Sequence, residues 1–257
     1  MNNQKPSNKT FTLQSKLLGR EIPYAVIFPA NYQESNAKFP VLYLLHGLFG
    51  RFDNWLTNTK IIEYAADFPA VIVCAEGGDN WYTDGKHFYE SYFFDELFPA
   101  VENSFNIRKA KESRAIAGLS MGGYGAFKFA FRRPEMFCLA ASMSGAFHAA
   151  EIYGDDVWKE LQTSILEVFS GDEKIRTRDD LFQIVENFPA EQISTLPFFY
   201  FDCGTEDEFL PVNIALAEVF RRRGIPHKFQ TLPGRHDWGY WDCQIKQFLQ
   251  FAAGILT

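Results

Sequence analysis

The stretch Ile116-Ala117-Gly118-Leu119-Ser120-Met121-Gly122-Gly123-Tyr124-Gly125 decides the fold, because it places the pattern Gly-x-Ser-x-Gly between two different kinds of segment. The apolar run at residues 113–117 is typical of a buried strand, whereas residues 121–132 have helical spacing. A strained turn from strand to helix exposes a serine hydroxyl at the helix N-terminus. Small residues flank the serine because the neighbouring segments pack closely against this turn. The pattern predicts Ser120 as a nucleophile; the alternative is a glycine-rich turn with an idle serine.

The rest of the chain alternates between two kinds of segment. Short, nearly continuous apolar runs occur at residues 41–45, 70–75, 113–117, 138–143 and 197–202, as in strands buried on both faces of a parallel sheet. Segments with helical spacing lie between and after them, at residues 61–68, 89–105, 121–132, 212–223 and 240–253. Residues 10–18 and 21–28 suit an opening antiparallel pair. We therefore predict one α/β domain over residues 1–257, with a mostly parallel central sheet and helices on both faces.

One segment interrupts this alternation. Residues 148–196 contain two amphipathic stretches, 158–169 and 178–188, with no strand between them. We predict a helical insertion before the strand at 197–202. It is either a lid, to which Trp158 could belong, or a longer helical crossover.

A serine hydroxyl is a poor nucleophile without a base, so the chain must supply a histidine after Ser120. The acid of the triad is expected between Ser120 and that histidine in the sequence. This order excludes three histidines as the base, because His46 and His87 precede Ser120 and His148 lies only just beyond the next predicted strand. His227 falls inside the predicted last strand, residues 226–232, whereas His236 lies in the loop before the final helix. We predict that His236 is the base.

The acid is expected in the loop after the strand at 197–202, where several carboxylates lie close together. Asp207 is favoured, and Glu206 and Glu208 remain alternatives because spacing alone does not separate them. Asp202 would lie too deep in the fold to serve as the acid if it ends the strand. The non-catalytic reading is a solvated acidic turn.

The developing oxyanion of an acyl-transfer reaction needs two donors. One is expected to be the N–H of Met121, directly after the nucleophile. The other is expected in the glycine-containing loop that follows residues 41–45, from Leu48 or alternatively Phe49. For His46, in the same loop, we expect a structural role that fixes the loop by hydrogen bonding.

Composition and charge limit the classes of partner that the protein could bind. The 25 Lys+Arg and 32 Asp+Glu give a net charge of −7, which argues against nucleic acid. The polar N-terminal segment and the lack of a long apolar run predict a cytoplasmic protein that does not bind a membrane. Four cysteines without a CxxC pair, and no HExxH, predict neither a metal site nor a cofactor. A homo-oligomer remains open.

Aromatic residues make up 17% of the chain and include 27 Phe. Several lie in loops that follow predicted strands and could line a substrate pocket, with core packing as the alternative for each. These candidates are Phe49, Trp81, Tyr82, Trp238 and Trp241.

Four motifs together resemble the esterase D-like family of α/β-hydrolases. They are His46-Gly47-Leu48-Phe49-Gly50, Gly118-Leu119-Ser120-Met121-Gly122-Gly123, Cys203-Gly204-Thr205-Glu206-Asp207 and Gly234-Arg235-His236-Asp237-Trp238-Gly239-Tyr240-Trp241. The family includes carboxylesterases, feruloyl and acetyl xylan esterases, S-formylglutathione hydrolases and mycolyltransferases.

The resemblance implies an α/β-hydrolase fold and a triad of Ser120, Asp207 and His236, with the N–H groups of Leu48 and Met121 as the oxyanion hole. It selects Asp207 over its neighbours. It also implies a serine carboxylic ester hydrolase whose substrate is a small acyl or aromatic ester. Two alternatives remain: a thioesterase of S-formylglutathione type, and a non-catalytic scaffold that binds a small molecule. Acyl transfer to an alcohol is also left open.

Overall fold

A computed structural model describes residues 5–33, 35, 37–150, 159–169 and 173–256. Trp158 and parts of the predicted insertion lie outside these residues. Whether the insertion acts as a lid, and whether residues 1–257 form one domain, stay predictions.

The described strands form one eight-stranded sheet in the order β1-β2-β4-β3-β5-β6-β7-β8. Strands β1 and β2 pair in an antiparallel manner, as do β2 and β4, and every other neighbouring pair is parallel. The strands are β1 Ser7–Ser15, β2 Arg20–Phe28, β3 Val41–Leu45, β4 Val71–Ala75, β5 Arg114–Leu119, β6 Leu139–Met143, β7 Phe198–Gly204 and β8 His227–Leu232. The predicted α/β fold with a mostly parallel sheet is confirmed.

Helices cover both faces of the sheet, and alternate residues of the central strands supply two separate cores. In β3, Tyr43 packs into one core and Leu44 into the other. The helices are α1 Asn54–Asn58, α2 Ile61–Tyr64, α3 Tyr89–Ser91, α4 Phe98–Ser104, α5 Met121–Arg132, α6 Lys159–Phe169, α7 Glu173–Asp179, α8 Leu181–Asn187, α9 Leu210–Arg223 and α10 Trp238–Ala253. Residues of α1, α2 and α10 bury one face, and residues of α4, α5 and α9 bury the other.

Of the predicted helices, one contains a π-helical stretch and another is interrupted. Residues 89–105 form α3, a π-helical stretch at Tyr92–Leu97, and then α4. Pro99, at the start of α4, lacks the N–H that a continuous α-helix would use one turn earlier. Residues 178–188 divide between α7 and α8, because extended Asp180 caps α8 by accepting a hydrogen bond from the N–H of Gln183 at 3.1 Å.

The strand order reverses between β3 and β5, because the chain runs from β3 outward to β4 and then returns to the other side of β3. In an open α/β sheet, ligands bind in the crevice outside the carboxyl ends of the strands at such a point. The loop after β3 and the turn after β5 both open there, which positions the site described next.

Candidate active site

Ser120 occupies the tight turn between β5 and α5. Its φ of 51° lies in the left-handed region, which side chains other than glycine rarely adopt. A Cβ on Gly118 would lie 2.4 Å from the backbone of Gly122, and a Cβ on Gly122 would lie 2.6 Å from the His46 carbonyl oxygen. The turn therefore needs glycine at both positions, and β5, α5 and the loop after β3 come into direct contact around the serine.

Three side chains from separate strand ends meet at this turn. His236 Nε2 lies 3.0 Å from Ser120 Oγ, and His236 Nδ1 lies 3.0 Å from Asp207 Oδ2 and 3.1 Å from Oδ1. Because a carboxylate can only accept, Nδ1 carries the proton and Nε2 is free to accept the serine hydroxyl. The structure thus brings together the three residues that the motifs indicated, in the geometry of an activated serine.

The electrostatics of Asp207 match its place behind the histidine. Burial alone would raise its pKa, but the hydrogen bond and charge of His236, the Ser144 hydroxyl and the N–H of Phe209 together lower its pKa below the ordinary range. The Phe209 N–H donates to Asp207 Oδ1 at 2.8 Å. Asp207 is therefore ionised near neutral pH and can orient an imidazolium.

The alternative acids and base lie elsewhere. Glu206 and Glu208 are exposed, and Glu206 forms an ion pair with Arg235 at 2.8 Å. The observed strand β7 runs two residues beyond the predicted end, so Asp202 lies inside the strand, fully buried. His227 lies on the edge strand β8, with Nδ1 2.7 Å from the Ile225 carbonyl oxygen.

The loop after β3 is held by the His46 side chain. The Gly77 N–H donates to His46 Nε2 at 2.9 Å, so Nδ1 carries the proton and donates to the Gly47 carbonyl oxygen at 2.7 Å. That carbonyl and the Leu48 N–H belong to one planar peptide unit. By fixing the carbonyl, His46 also fixes the direction of the Leu48 N–H.

The other predicted donor of this loop, the Phe49 N–H, is already engaged. It donates to Asp79 Oδ1 at 2.6 Å, and Phe49 has a φ of 57°. The Phe49 N–H, one of the two loop N–H groups considered from the sequence, therefore already has a carboxylate acceptor.

Tyr82 supports the same loop from behind. Its hydroxyl donates to the His46 carbonyl oxygen at 2.8 Å, and its own carbonyl accepts a hydrogen bond from buried Lys128 at 2.7 Å. Tyr82 is fully buried and is not among the residues that line the cavity described next. The structure gives it contacts with the loop rather than a place in the pocket wall.

A cavity of about 370 Å³ opens above Ser120. Four of the five predicted aromatic pocket residues line it, namely Phe49, Trp81, Trp238 and Trp241. The remaining lining residues are Gly47, Leu48, Gly50, Asn54, Leu119, Ser120, Phe209, His236 and Asp237. Five aromatic side chains, four predicted and Phe209, therefore form part of the wall that includes the serine and the histidine.

Sequence reasoning missed Phe209, although this residue lines the cavity. Its ring packs against His236 with centroids 4.7 Å apart, and the Trp241 ring also packs against His236, at 4.9 Å. No motif marks Phe209, and a lone aromatic residue near an acidic loop gives no signal.

Trp81 links the cavity to the inserted helices. Its φ is 52°, and its indole N–H donates to Ser164 Oγ on α6 at 3.0 Å. The Trp81 ring also packs against Phe169 of the same helix. The insertion therefore contacts the side chain that forms part of the cavity wall.

The described part of the chain shows neither a metal-binding cluster nor a membrane-spanning helix. Across the described ranges, no three His, Cys, Asp or Glu side chains are grouped so that they could hold a metal ion. The described helices include none long and apolar enough to cross a membrane.

Together, a mostly parallel sheet, a serine in a strained strand-to-helix turn, and an acid and a histidine from later strand ends define an α/β-hydrolase. The chain belongs to the esterase family: the family model described as "Putative esterase" matches residues 15–252.

Named relatives agree with this family. Esterase Rv1288 of Mycobacterium tuberculosis is 28% identical over 88% of this chain, which spans only 55% of that relative's length. An acetyl esterase of Caldicellulosiruptor saccharolyticus is 24% identical over 94% of this chain and 96% of the relative. A solved ferulic acid esterase superposes with a TM-score of 0.86 and 26% identity, covering 99% of this chain and 100% of that one.

Proposed function

We propose that this chain is a serine carboxylic ester hydrolase that acts through an acyl-enzyme on small acyl or aromatic esters. The observation that supports it best is the continuous set of hydrogen bonds from Ser120 through His236 to Asp207 at the floor of an aromatic cavity. The family match and the esterase names of the relatives point to the same class.

The proposed reaction begins when Ser120 Oγ attacks the ester carbonyl carbon and His236 Nε2 takes the hydroxyl proton. The N–H groups of Leu48 and Met121 donate to the negative oxygen of the tetrahedral intermediate. The C–O bond to the alcohol then breaks as His236 returns the proton to the leaving alkoxide. Asp207 keeps the imidazole oriented and stabilises its cation.

In the second half of the cycle, water attacks the carbonyl carbon of the acyl-enzyme. His236 takes a proton from that water, the second tetrahedral intermediate collapses, and Ser120 leaves with the proton returned to Oγ. The free carboxylic acid is the product. No cofactor takes part in either half of this scheme.

The test uses Ser120→Ala and two matched pairs of variants, with a short p-nitrophenyl ester as substrate. Ser120→Ala is expected to lower kcat by about 10⁴-fold or more, the scale seen when a triad member is removed. His236→Ala is compared with His227→Ala, and Asp207→Asn with Glu206→Gln; only the first of each pair should lose activity. Retained turnover by a folded Ser120→Ala protein would overturn the proposal.

A thioesterase of S-formylglutathione type would use the same three residues. The glutathione moiety carries carboxylates, yet none of the described residues that line the cavity is Lys or Arg. The aromatic wall therefore favours an uncharged ester. Rates on S-formylglutathione and on methyl ferulate, measured in parallel, separate the two substrate classes. A non-catalytic scaffold would turn over neither.

A further inference from the structure

Tyr82 holds the loop after β3 at a position that controls one predicted oxyanion donor. Its hydroxyl donates to the His46 carbonyl oxygen at 2.8 Å, and the His46 ring donates from Nδ1 to the next carbonyl oxygen, that of Gly47, at 2.7 Å. Two consecutive peptide units of the loop are therefore each held by a side chain. Because a peptide unit is planar, fixing both carbonyls fixes the two backbone torsions of Gly47 between them. The second of these units contains the Leu48 N–H.

Gly47 makes this outside support necessary. Glycine adopts more backbone conformations than other residues, so the loop backbone alone does not keep the Leu48 N–H in one direction. A Cβ at this position would lie 2.6 Å from Leu119 Cδ1 and 3.5 Å from Ser120 Cβ, so a stiffer residue would crowd the segment that carries the nucleophile. The direction of the N–H therefore depends on the groups that hold the two carbonyls.

Tyr82 itself is closely held. A Cβ on Gly77 would lie 2.2 Å from Tyr82 Cε1, and a Cβ on Gly125 would lie 2.5 Å from Tyr82 Cδ2, so the ring fits because both residues are glycine. The φ of Tyr82 is 53°, in the left-handed region, and its carbonyl oxygen accepts a hydrogen bond from Lys128 Nζ at 2.7 Å. Such a backbone conformation persists only where the surroundings hold it. The ring therefore has little freedom to turn its hydroxyl away from His46.

The Tyr82 hydroxyl keeps its proton in the neutral pH range. Burial raises the pKa of Tyr82 well above its ordinary range, and the nearby negative charge of Glu76 acts in the same direction. The phenol therefore remains a donor to the His46 carbonyl oxygen while the triad histidine gains and loses its proton.

We propose that Tyr82 is a positioning residue for the oxyanion hole: by holding the His46 carbonyl, its hydroxyl sets the direction in which the Leu48 N–H points. The inference rests on the proposed ester hydrolysis and adds to it a side chain that lies behind the loop instead of in the cavity wall. The negative oxygen exists only in the tetrahedral intermediate and the transition states that flank it. A misdirected N–H therefore slows the reaction without weakening the binding of the ester.

The main test compares Tyr82→Phe with Tyr92→Phe. Both tyrosines are fully buried, and each packs against the Phe93 ring with centroids 5.4 Å apart. The Tyr82 hydroxyl donates to His46, whereas the Tyr92 hydroxyl has no hydrogen-bond partner within the described part of the chain. Each variant loses one buried hydroxyl, but only Tyr82→Phe releases the loop.

Rates on a short p-nitrophenyl ester are expressed per active site. The end point of fluorophosphonate labelling counts the sites, so that misfolded protein does not appear as a loss of kcat. For Tyr82→Phe we expect kcat per site to fall about tenfold with KM nearly unchanged. This is less than the loss of about 10²- to 10³-fold on removal of an oxyanion donor, because the Leu48 N–H is misdirected and not absent. Tyr92→Phe should keep the parental values.

Inhibition by trifluoroacetophenone tests the oxyanion hole itself. Ser120 Oγ adds reversibly to the ketone carbon, its proton passes to His236 Nε2, and the ketone oxygen becomes an anion like that of the tetrahedral intermediate. The inhibition constant should rise about tenfold in Tyr82→Phe, in step with the loss of kcat/KM, and stay parental in Tyr92→Phe. A purely structural role of the Tyr82 hydroxyl would lower the number of active sites and leave this constant unchanged.

Gly125→Ala reaches the same hydroxyl by a different route. The new Cβ would lie 2.5 Å from Tyr82 Cδ2 and displace the ring, and with it the hydroxyl, while keeping the phenol. It should raise the inhibition constant of the ketone in the parent and have little further effect in Tyr82→Phe. Gly254→Ala, whose Cβ makes an ordinary contact at 3.6 Å, is the control. This pair decides the question if Tyr82→Phe yields too little active protein.

Two results would overturn the inference. One is a Tyr82→Phe protein that the ketone inhibits as tightly as it inhibits Tyr92→Phe, whatever its kcat. The other is a Gly125→Ala protein that the ketone inhibits as tightly as it inhibits Gly254→Ala. If Ser120→Ala is inactive while either result is found, the inference fails and the proposed function stands; an active Ser120→Ala protein would remove both.

Discussion

Asp202 gives the sharpest prediction for stability, because its carboxyl is fully buried in β7 beneath the site. The Tyr240 hydroxyl donates to Oδ1 at 2.8 Å, whereas Oδ2 has no hydrogen-bond partner among the residues described. Burial raises the pKa of Asp202 to about 7, although the Tyr240 hydrogen bond and the charge of Lys228 act in the opposite direction. The folded protein therefore favours the protonated carboxyl.

The size and sign of the effect follow from proton binding in the two states. The unfolded chain releases this proton near the ordinary pKa of 3.8, and the folded chain releases it near 7. Between these values the folded state binds more protons, so raising the pH lowers the free energy of unfolding. The two pKa values differ by about three units, and each unit corresponds to about 1.4 kcal/mol. The free energy of unfolding should therefore fall by about 4 kcal/mol between pH 4 and pH 7.

The assay is urea unfolding of the parent and of Asp202→Asn from pH 4 to pH 8. Asparagine does not titrate, so the stability of the variant relative to the parent should rise steadily with pH and level off above about pH 7. Asp67→Asn, which changes an exposed carboxyl, should show no such trend. A difference between Asp202→Asn and the parent that stays constant from pH 4 to pH 7 would refute this reasoning.

Three further substitutions test the packing around the serine. Gly122→Ala places a Cβ 2.6 Å from the His46 carbonyl oxygen and should cost about 10²-fold in esterase rate by displacing the loop after β3, whereas Gly254→Ala, with only an ordinary contact at 3.6 Å, should keep the parental rate. Lys128→Met removes a fully buried ammonium that lies 2.9 Å from Glu90, so the free energy of unfolding in urea should fall by about 3 to 5 kcal/mol. Lys246→Met, at an exposed position, is the control, and equal unfolding midpoints for the two variants would contradict the expectation. Trp81→Ala opens the cavity wall toward α6, so kcat/KM for p-nitrophenyl butyrate should rise relative to the acetate; an unchanged ratio would show that Trp81 does not limit acyl length.

Most of the fold could be predicted from the sequence because its signals are local. The continuous apolar runs of β3 and β4 and the Gly-x-Ser-x-Gly turn each identify their own element. The π-helical stretch within residues 89–105 and the interruption within residues 178–188 could not be predicted from periodicity, since they depend on the missing N–H of Pro99 and on capping by Asp180.

The candidate site was only partly predictable. Ser120 and His236 follow from the motif and the chain order, but spacing alone did not separate Asp207 from Glu206 and Glu208. That choice depends on burial, which the sequence does not show: Asp207 is buried and its two neighbours are exposed. The contact of Asp79 with the Phe49 N–H joins distant parts of the chain and leaves no local pattern.

The central claim is that Ser120 forms the covalent intermediate. A fluorophosphonate probe reacts with an activated serine, and peptide mass mapping of the labelled protein locates the modified residue. We predict a single labelled peptide containing Ser120 in the parent and no labelling of folded Ser120→Ala. Labelling of a different residue in the parent, or undiminished labelling of Ser120→Ala, would contradict the claim.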